Sequence, residues 1–297
     1  MWPLTIRLLF LVHLIQVAHC LNCMEALQSY TTNAITVIPG DLPLLLTVPH
    51  GGLAMPTSIP NRTEGQVIPD AYTIVLAKYI SQQIRGHYKA RPYMLILNVA
   101  RRKVDVNRPI DQGTDSETGQ QVWAEYHDAL RGLVQQIQTR FGEGLLLDIH
   151  GQAHREGMVE LGYMVQKSKL QTVDRDQDLI TNSSLSRLAH RLLQNNRPEV
   201  VSQLLRGSGS FGDKMMGGSD LIQVVPSPTH RSPAKQALYF EGGYTTQQYS
   251  SQLDVIQIES PQALRFSASD RPILAQAIAN ATTYFMDKYY SPLLARL

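Results

Sequence analysis

The chain has 297 residues, 43% hydrophobic and 18% charged, an ordinary balance for a globular protein and enough length for one large domain or two small ones. A formal net charge of only +2, with no basic run and no basic-aromatic stripe, argues against nucleic-acid binding. The two cysteines, Cys20 and Cys23, can neither staple the fold nor build a cysteine zinc site, so a core must supply stability and any metal must sit on His and carboxylates.

Residues 1–20 read as a signal peptide. Residues 1–7 carry one positive charge, residues 8–17 are apolar apart from His13 and Gln16, and Ala18-His19-Cys20 fits a small-x-small cleavage site. The apolar run falls short of the roughly 20 residues a spanning helix needs. The expectation is a secreted, extracellular protein without a stable membrane anchor. Sequons at Asn61, Asn182 and Asn280 agree with glycosylation on that route.

Residues 21–42 form a lead-in with a short strand at 34–38. Residues 44–48, set off by Pro43, are a buried strand ending at His50-Gly51-Gly52. Residues 51–69 are rich in Gly, Pro, Ser and Thr and predict a loop across that strand end. Asp70 then opens a helical pattern with Ile74, Leu76, Ala77, Ile80 and Ile84 on one face, and Asp70 suits its N-cap. A strand at 93–99 and a helix at 121–139 follow, the latter with apolar Val122, Ala129, Leu130, Leu133, Val134 and Ile137. Leu145-Leu146-Leu147-Asp148-Ile149 is a second core strand that stops on His150-Gly151. Further on, the pattern predicts a strand at 159–165, amphipathic helices at 185–194 and 271–290, and an alternating strand at 255–259. Residues 207–218, with five glycines and two serines, predict a flexible loop. The strand–helix alternation predicts an α/β fold, a parallel sheet with helices on both faces. There is no internal repeat.

Two strands thus end in a histidine followed by glycine. Ligands collect at the C-terminal ends of strands in such sheets, so His50 and His150 are candidates for ligands of one metal. A lone strand-end histidine is more often structural; a matched pair puts metal binding on an equal footing. Asp148 lies two residues before His150, on the same face of a regular strand. It could orient that imidazole or be a carboxylate held by backbone N–H groups. Between the histidine strands runs Arg101-Arg102-Lys103-Val104-Asp105-Val106-Asn107-Arg108-Pro109. An Asn-Arg pair can hold a carboxylate, and Asp105 could orient Arg108; the alternative is a charged surface loop. His127, mid-helix, reads as structural, while His154 and His230 lie in loops near the site.

Pro49-His50-Gly51-Gly52, Asp105-Val106-Asn107-Arg108-Pro109 and Asp148-Ile149-His150-Gly151, followed by Gly242-Gly243-Tyr244-Thr245 and Gln257-Ile258-Glu259, resemble in this order the N-formylglutamate amidohydrolase family, over about residues 43–290. The resemblance implies a single three-layer α/β domain at 43–297, with a mostly parallel mixed central sheet like that of zinc carboxypeptidases. It implies a zinc-dependent amide hydrolase with one Zn2+ per chain, acting on an N-acyl amino acid or a short acidic peptide. His50 and His150 match the metal histidines. The third ligand would be Asp70, at the start of the next helix, or Glu64; Leu53 stands where zinc carboxypeptidases place a Glu. Glu259 matches the catalytic acid–base, although the residues alone read it as the solvent-facing member of an alternating strand. Asn107 and Arg108 match the substrate-carboxylate clamp, with Arg101 or Arg102 as a second cation at the scissile carbonyl. Gly242 and Gly243 would let backbone approach the substrate, with Thr245 or Tyr244 donating to it; the alternative is a plain turn. The family pattern has Ser where this chain has Gly51 and Gly151, and its usual members are intracellular. The rival expectation is a secreted binding protein, associated with extracellular matrix, that keeps the fold without turnover.

Overall fold

The computed structural model describes residues 30–175 and 177–294. The predicted signal peptide, Cys20 and Cys23 lie outside the described residues.

One eight-stranded sheet organises the chain. Its strands are β1 (Tyr30–Thr31), β2 (Ile35–Ile38), β3 (Leu44–Val48), β4 (Tyr93–Leu97), β5 (Leu145–Gln152), β6 (Val159–Gly162), β7 (Val224–Val225) and β8 (Asp254–Pro261), in the order β1-β2-β4-β3-β5-β8-β6-β7. The central strands β4, β3, β5 and β8 run parallel. On the flanks, β2 pairs antiparallel with β4 and β6 antiparallel with β8. The sheet is therefore mixed and mostly parallel, as expected. Strands β3, β4 and β8 are buried along their whole length, which is why Leu-Leu-Leu-Thr-Val and Tyr-Met-Leu-Ile-Leu are nearly continuous apolar runs.

From β3 the chain passes through the helix Thr73–Tyr88 to β4 on one side; from β4 it returns through the helix Glu117–Phe141 to β5, beyond β3 on the other. Right-handed crossovers in opposite directions place these two helices on opposite faces. The helix Asp270–Tyr289 lies beside the first, where Tyr88 Oη donates to the Thr283 carbonyl at 3.1 Å.

Local signals set the helix ends. Ser116 caps Glu117–Phe141 by accepting from the Gly119 N–H at 3.1 Å, so the helix starts before the predicted 121. Asp70 does not cap the helix Thr73–Tyr88. Tyr72, at φ 67°, precedes that helix, no side chain caps it, and the Asp70 carboxylate turns away toward the histidines.

Two expectations are corrected. The glycine-rich stretch is not merely a loop: Phe211–Met216 is a short helix. Ser210 accepts from the Asp213 N–H at 3.2 Å, and Phe211 and Met215, four apart, bury one face, with Phe211 edge-on to Phe285 at 5.3 Å. The strand at 255–259 is the middle of the longer β8, and its alternation does not mark a solvent face, because both faces are buried. The lead-in contributes β1 and β2 to the same sheet. Among the described residues no helix is long and apolar enough to cross a membrane.

Candidate active site

The parallel strands deliver their C-terminal ends to one place. His50 follows β3, the segment 101–108 follows β4, His150 lies in β5, and Glu259 in β8 stands in register beside His150. A cleft of about 1000 Å³ opens over these ends.

His50, Asp70 and His150 converge there, all buried, with one donor atom each mutually within 4.8 Å. Asp70 Oδ2 lies 3.3 Å from Nδ1 of His50 and 3.3 Å from Nδ1 of His150. Ligands of a tetrahedral metal ion at about 2.0–2.1 Å are about 3.3 Å apart, which matches both separations from Asp70 to the histidines. The other ring nitrogens are committed. His50 Nε2 lies 2.7 Å from Asp105 Oδ1, and His150 Nε2 lies 2.9 Å from Asp148 Oδ2. Each Nε2–H is thereby donated to a carboxylate, which leaves each Nδ1 a lone pair. Two nitrogen lone pairs and a carboxylate oxygen facing one another repel unless positive charge lies between them.

The electrostatics fit this account. Burial alone would raise the Asp70 pKa, but the charge of His50 and the bonds to His150 and His50 outweigh it and hold that carboxyl well below its usual range. Asp105 is held down against burial in the same way by His50 and Arg101. Burial opposes charge on His150, yet Asp148 and Asp70 raise its pKa well above the ordinary value. The cluster thus demands a cation; without a metal, protons fill that role.

Glu259 is buried. Gln257 Nε2 donates to its Oε1 at 3.0 Å, while its Oε2 has no partner. Burial raises its pKa most; His150 pulls it down, and Asp70 and Glu160 push it up again, to about 8. A carboxyl that titrates near neutrality, one oxygen free, in the same cleft as His50, Asp70 and His150 is placed to move a proton.

The structure sorts the remaining candidates. Glu64 is exposed and outside the cleft, so Asp70 is the carboxylate that joins the histidines. Arg101 turns into the site, with Nε donating to Asp105 at 2.9 Å and Nη1 to Asp70 at 3.4 Å. Arg102 does not; it is exposed and does not line the cleft. Asp105 orients His50 and Arg101 rather than Arg108, because its two oxygens are taken by those side chains. Arg108 lines the cleft, and its guanidinium makes no hydrogen bond among the described residues; only its carbonyl is used, by Trp123 Nε1 at 2.9 Å. Asn107 Oδ1 accepts from the Thr245 N–H at 2.8 Å, and its Nδ2 lies 3.4 Å from His150 Nε2, which sets the amide N–H groups at the edge of the cleft beside that histidine. Gly243 must be small, since a Cβ there would sit 2.3 Å from Asn107 Nδ2. Gly243 and Tyr244 line the cleft; Thr245 is buried behind it and reaches Asn107 only through its backbone.

His127 is structural, bonded to the Val106 carbonyl at 2.9 Å, with burial lowering its pKa to about 4. His154 lines the cleft with Nδ1 2.6 Å from Glu160 Oε1, whereas His230 lies outside it, 3.0 Å from Gln223 Oε1. The sequon residues Asn61, Asn182 and Asn280 are all exposed.

Sequence reasoning missed Gln257 and Arg265. Gln257 was legible in principle, two residues before Glu259 on one strand face. Arg265 was not. Its nitrogens donate to the carbonyls of Ser260, Ala71 and Gln152, and its guanidinium fills the space beside Gly151, where a Cβ would lie 2.2 Å from Arg265 Cζ. No local signal announces such a contact.

No protein-family profile and no curated protein matches the chain in sequence. Solved structures do match in shape. N-formylglutamate amidohydrolase from Ralstonia eutropha JMP134 aligns with TM-score 0.53 at 15% identity, over 88% of this chain and 100% of its own. A gene product of Agrobacterium tumefaciens aligns with TM-score 0.51 at 13% identity, over 86% of this chain and 95% of its own. The mixed sheet that carries His50, Asp70, His150 and Glu259 therefore has the fold of N-formylglutamate amidohydrolase.

Proposed function

We propose that the chain is a zinc-dependent amide hydrolase acting on an N-acyl amino acid or a short acidic peptide. One observation carries the reading: two imidazoles, each locked by a buried carboxylate, and Asp70 aim three electron pairs at one point in the cleft that also holds the unpartnered Oε2 of Glu259. His50, Asp70 and His150 would hold the zinc ion, which when bound would lower the pKa of a water and polarise the amide carbonyl.

The chain's own residues do the rest. Arg108 and the amide of Asn107 bind the substrate carboxylate and set the amide over the site. Glu259 Oε2 takes the proton of the attacking water and delivers it to the leaving nitrogen. Gln257 holds the other oxygen of that carboxylate in place. Arg101, bound to Asp70 and Asp105, fixes those two carboxylates and adds positive charge where the tetrahedral oxyanion forms. The reading includes export and glycosylation, supported by the signal-like leader and the three exposed sequon asparagines.

The test is metal analysis with activity. Purified protein should carry about one zinc, lose it with His150→Ala, and hydrolyse N-acyl amino acids in a chelator-sensitive way. A protein that takes up no divalent metal, and whose stability His150→Ala leaves unchanged, overturns the proposal.

A further inference from the structure

The cleft is larger than a formyl amino acid needs. Its volume of about 1000 Å³ stands at the upper end of the roughly 300–1,000 Å³ typical of drug-sized ligands. Its two sides also differ in chemistry. The clamp side, with Asn107, Arg108 and Tyr244, is built on the helix Glu117–Phe141: Trp123 of that helix bonds the Arg108 carbonyl, and its ring lies 6.2 Å from that of Tyr244. The other side belongs to the opposite face of the sheet. There Phe266 packs edge-on against Tyr72 at 4.9 Å, at the start of the helix Thr73–Tyr88, and Ile68 stands in the loop leading to it.

Ile68 is 63% exposed, and Phe266 and Phe240 are each 46% exposed, although all three line the cleft. Large apolar side chains left open around one cavity mark a surface awaiting apolar matter. Phe266 and Ile68 flank the start of the helix Thr73–Tyr88, and Phe240 lines the same cleft beside His154. Arg265, next to Phe266, donates to the Gln152 carbonyl at 3.4 Å, and His154, two residues on, lies against the Phe240 ring at 4.8 Å. Among the described residues each cation on that side is already engaged: His154 Nδ1 lies 2.6 Å from Glu160 Oε1, and Arg271 donates to the carbonyls of Arg265 and Phe266 and stacks over the Tyr72 ring. The three guanidinium nitrogens of Arg265 are spent on backbone carbonyls, and Arg101 is spent on Asp70 and Asp105. That side can hold hydrocarbon, but has nothing to neutralise a carboxylate on the acyl half.

We propose that the acyl half of the substrate is an extended hydrocarbon chain, lying from the metal position along Ile68, Phe266 and Phe240, while the amino-acid carboxylate is held across the cleft by Asn107 and Arg108. The inference rests on the amide-hydrolase reading and narrows it to N-fatty-acyl amino acids.

The experiment uses N-formyl-, N-acetyl-, N-hexanoyl- and N-decanoyl-L-glutamate, with two readouts: calorimetric affinity for zinc-loaded Glu259→Gln protein, and kcat/KM of the zinc-loaded wild type. Affinity should rise about three- to fourfold per added methylene over the first several carbons. The double variant Ile68→Ser with Phe266→Ala should flatten that slope; should it misfold, the wild-type series alone decides. Affinity that stays flat or falls from acetyl to decanoyl overturns the apolar subsite, and if the short substrates are still cleaved the hydrolase reading survives that result. Tight, length-dependent binding with no cleavage anywhere in the series supports the subsite and overturns the hydrolase reading.

Discussion

His50 and His150 each use both ring nitrogens, and this makes the site testable one atom at a time. Asp105→Asn keeps the shape of the residue beside His50 but removes the charge that fixes the imidazole's tautomer. Zinc affinity should fall about 10–100-fold while the fold survives, read by competition with a chelator. Glu259→Gln should behave oppositely: full zinc content, with kcat reduced about 10²–10⁴-fold. If both variants lose metal equally, the division of labour is wrong. Gly151 illustrates a departure from the family pattern that the structure explains. A serine there would drive its Cβ into the Arg265 guanidinium, which would have to release the carbonyls of Ala71 and Gln152. Gly151→Ser should therefore destabilise the protein by about 1–3 kcal/mol in denaturant titration.

At the scale of elements, the helix Glu117–Phe141 supports the clamp from behind. His127 sits on its buried face between the Val106 carbonyl and Tyr249 Oη, and burial lowers its pKa to about 4 from an ordinary 6.5. A depressed folded-state value means the unfolded chain binds the proton first. This contribution to stability is present above about pH 6.5 and is lost as pH falls toward 4. It amounts to about 3 kcal/mol. His127→Gln should flatten the pH dependence of unfolding across that window; an unchanged slope would show that His127 does not titrate this way. The strands were more legible than the helix ends. The apolar runs at 44–48 and 145–149 needed only their own residues to be recognised. Loss of the Asp70 cap and the helix Phe211–Met216 depended on partners elsewhere, the two histidines in one case and Phe285 in the other.

Across the whole molecule, four parallel strands and both faces of helices converge on a cluster of buried acids and imidazoles that a divalent ion would neutralise. An ion that binds only the folded state stabilises it by mass action, about 2.7 kcal/mol at a free concentration 100 times Kd. For a domain of this size, zinc should raise Tm by about 5–10 °C, measured calorimetrically against a chelated sample. No shift in wild type, or an equal shift in His50→Ala, would remove the metal from the account.

What the sequence determined by itself is what depends on local order: buried strands from continuous apolar runs, and histidines fixed at their ends because a strand's length sets where its last side chain stands. Which carboxylate meets those histidines, which arginine is spent and which is free, and that Glu259 faces the cleft rather than water were decided only by the sheet order β4-β3-β5-β8 and the loops above it. Asp70 and Glu64 are both acids in one loop, and Arg101 and Arg102 are neighbours; nothing local separates either pair. Pairing between groups far apart in the chain, as at 2.6 Å between Thr47 and Asp148, 101 residues apart, is a property of the packed chain, since the energy that selects it exists only once water has been excluded from both partners.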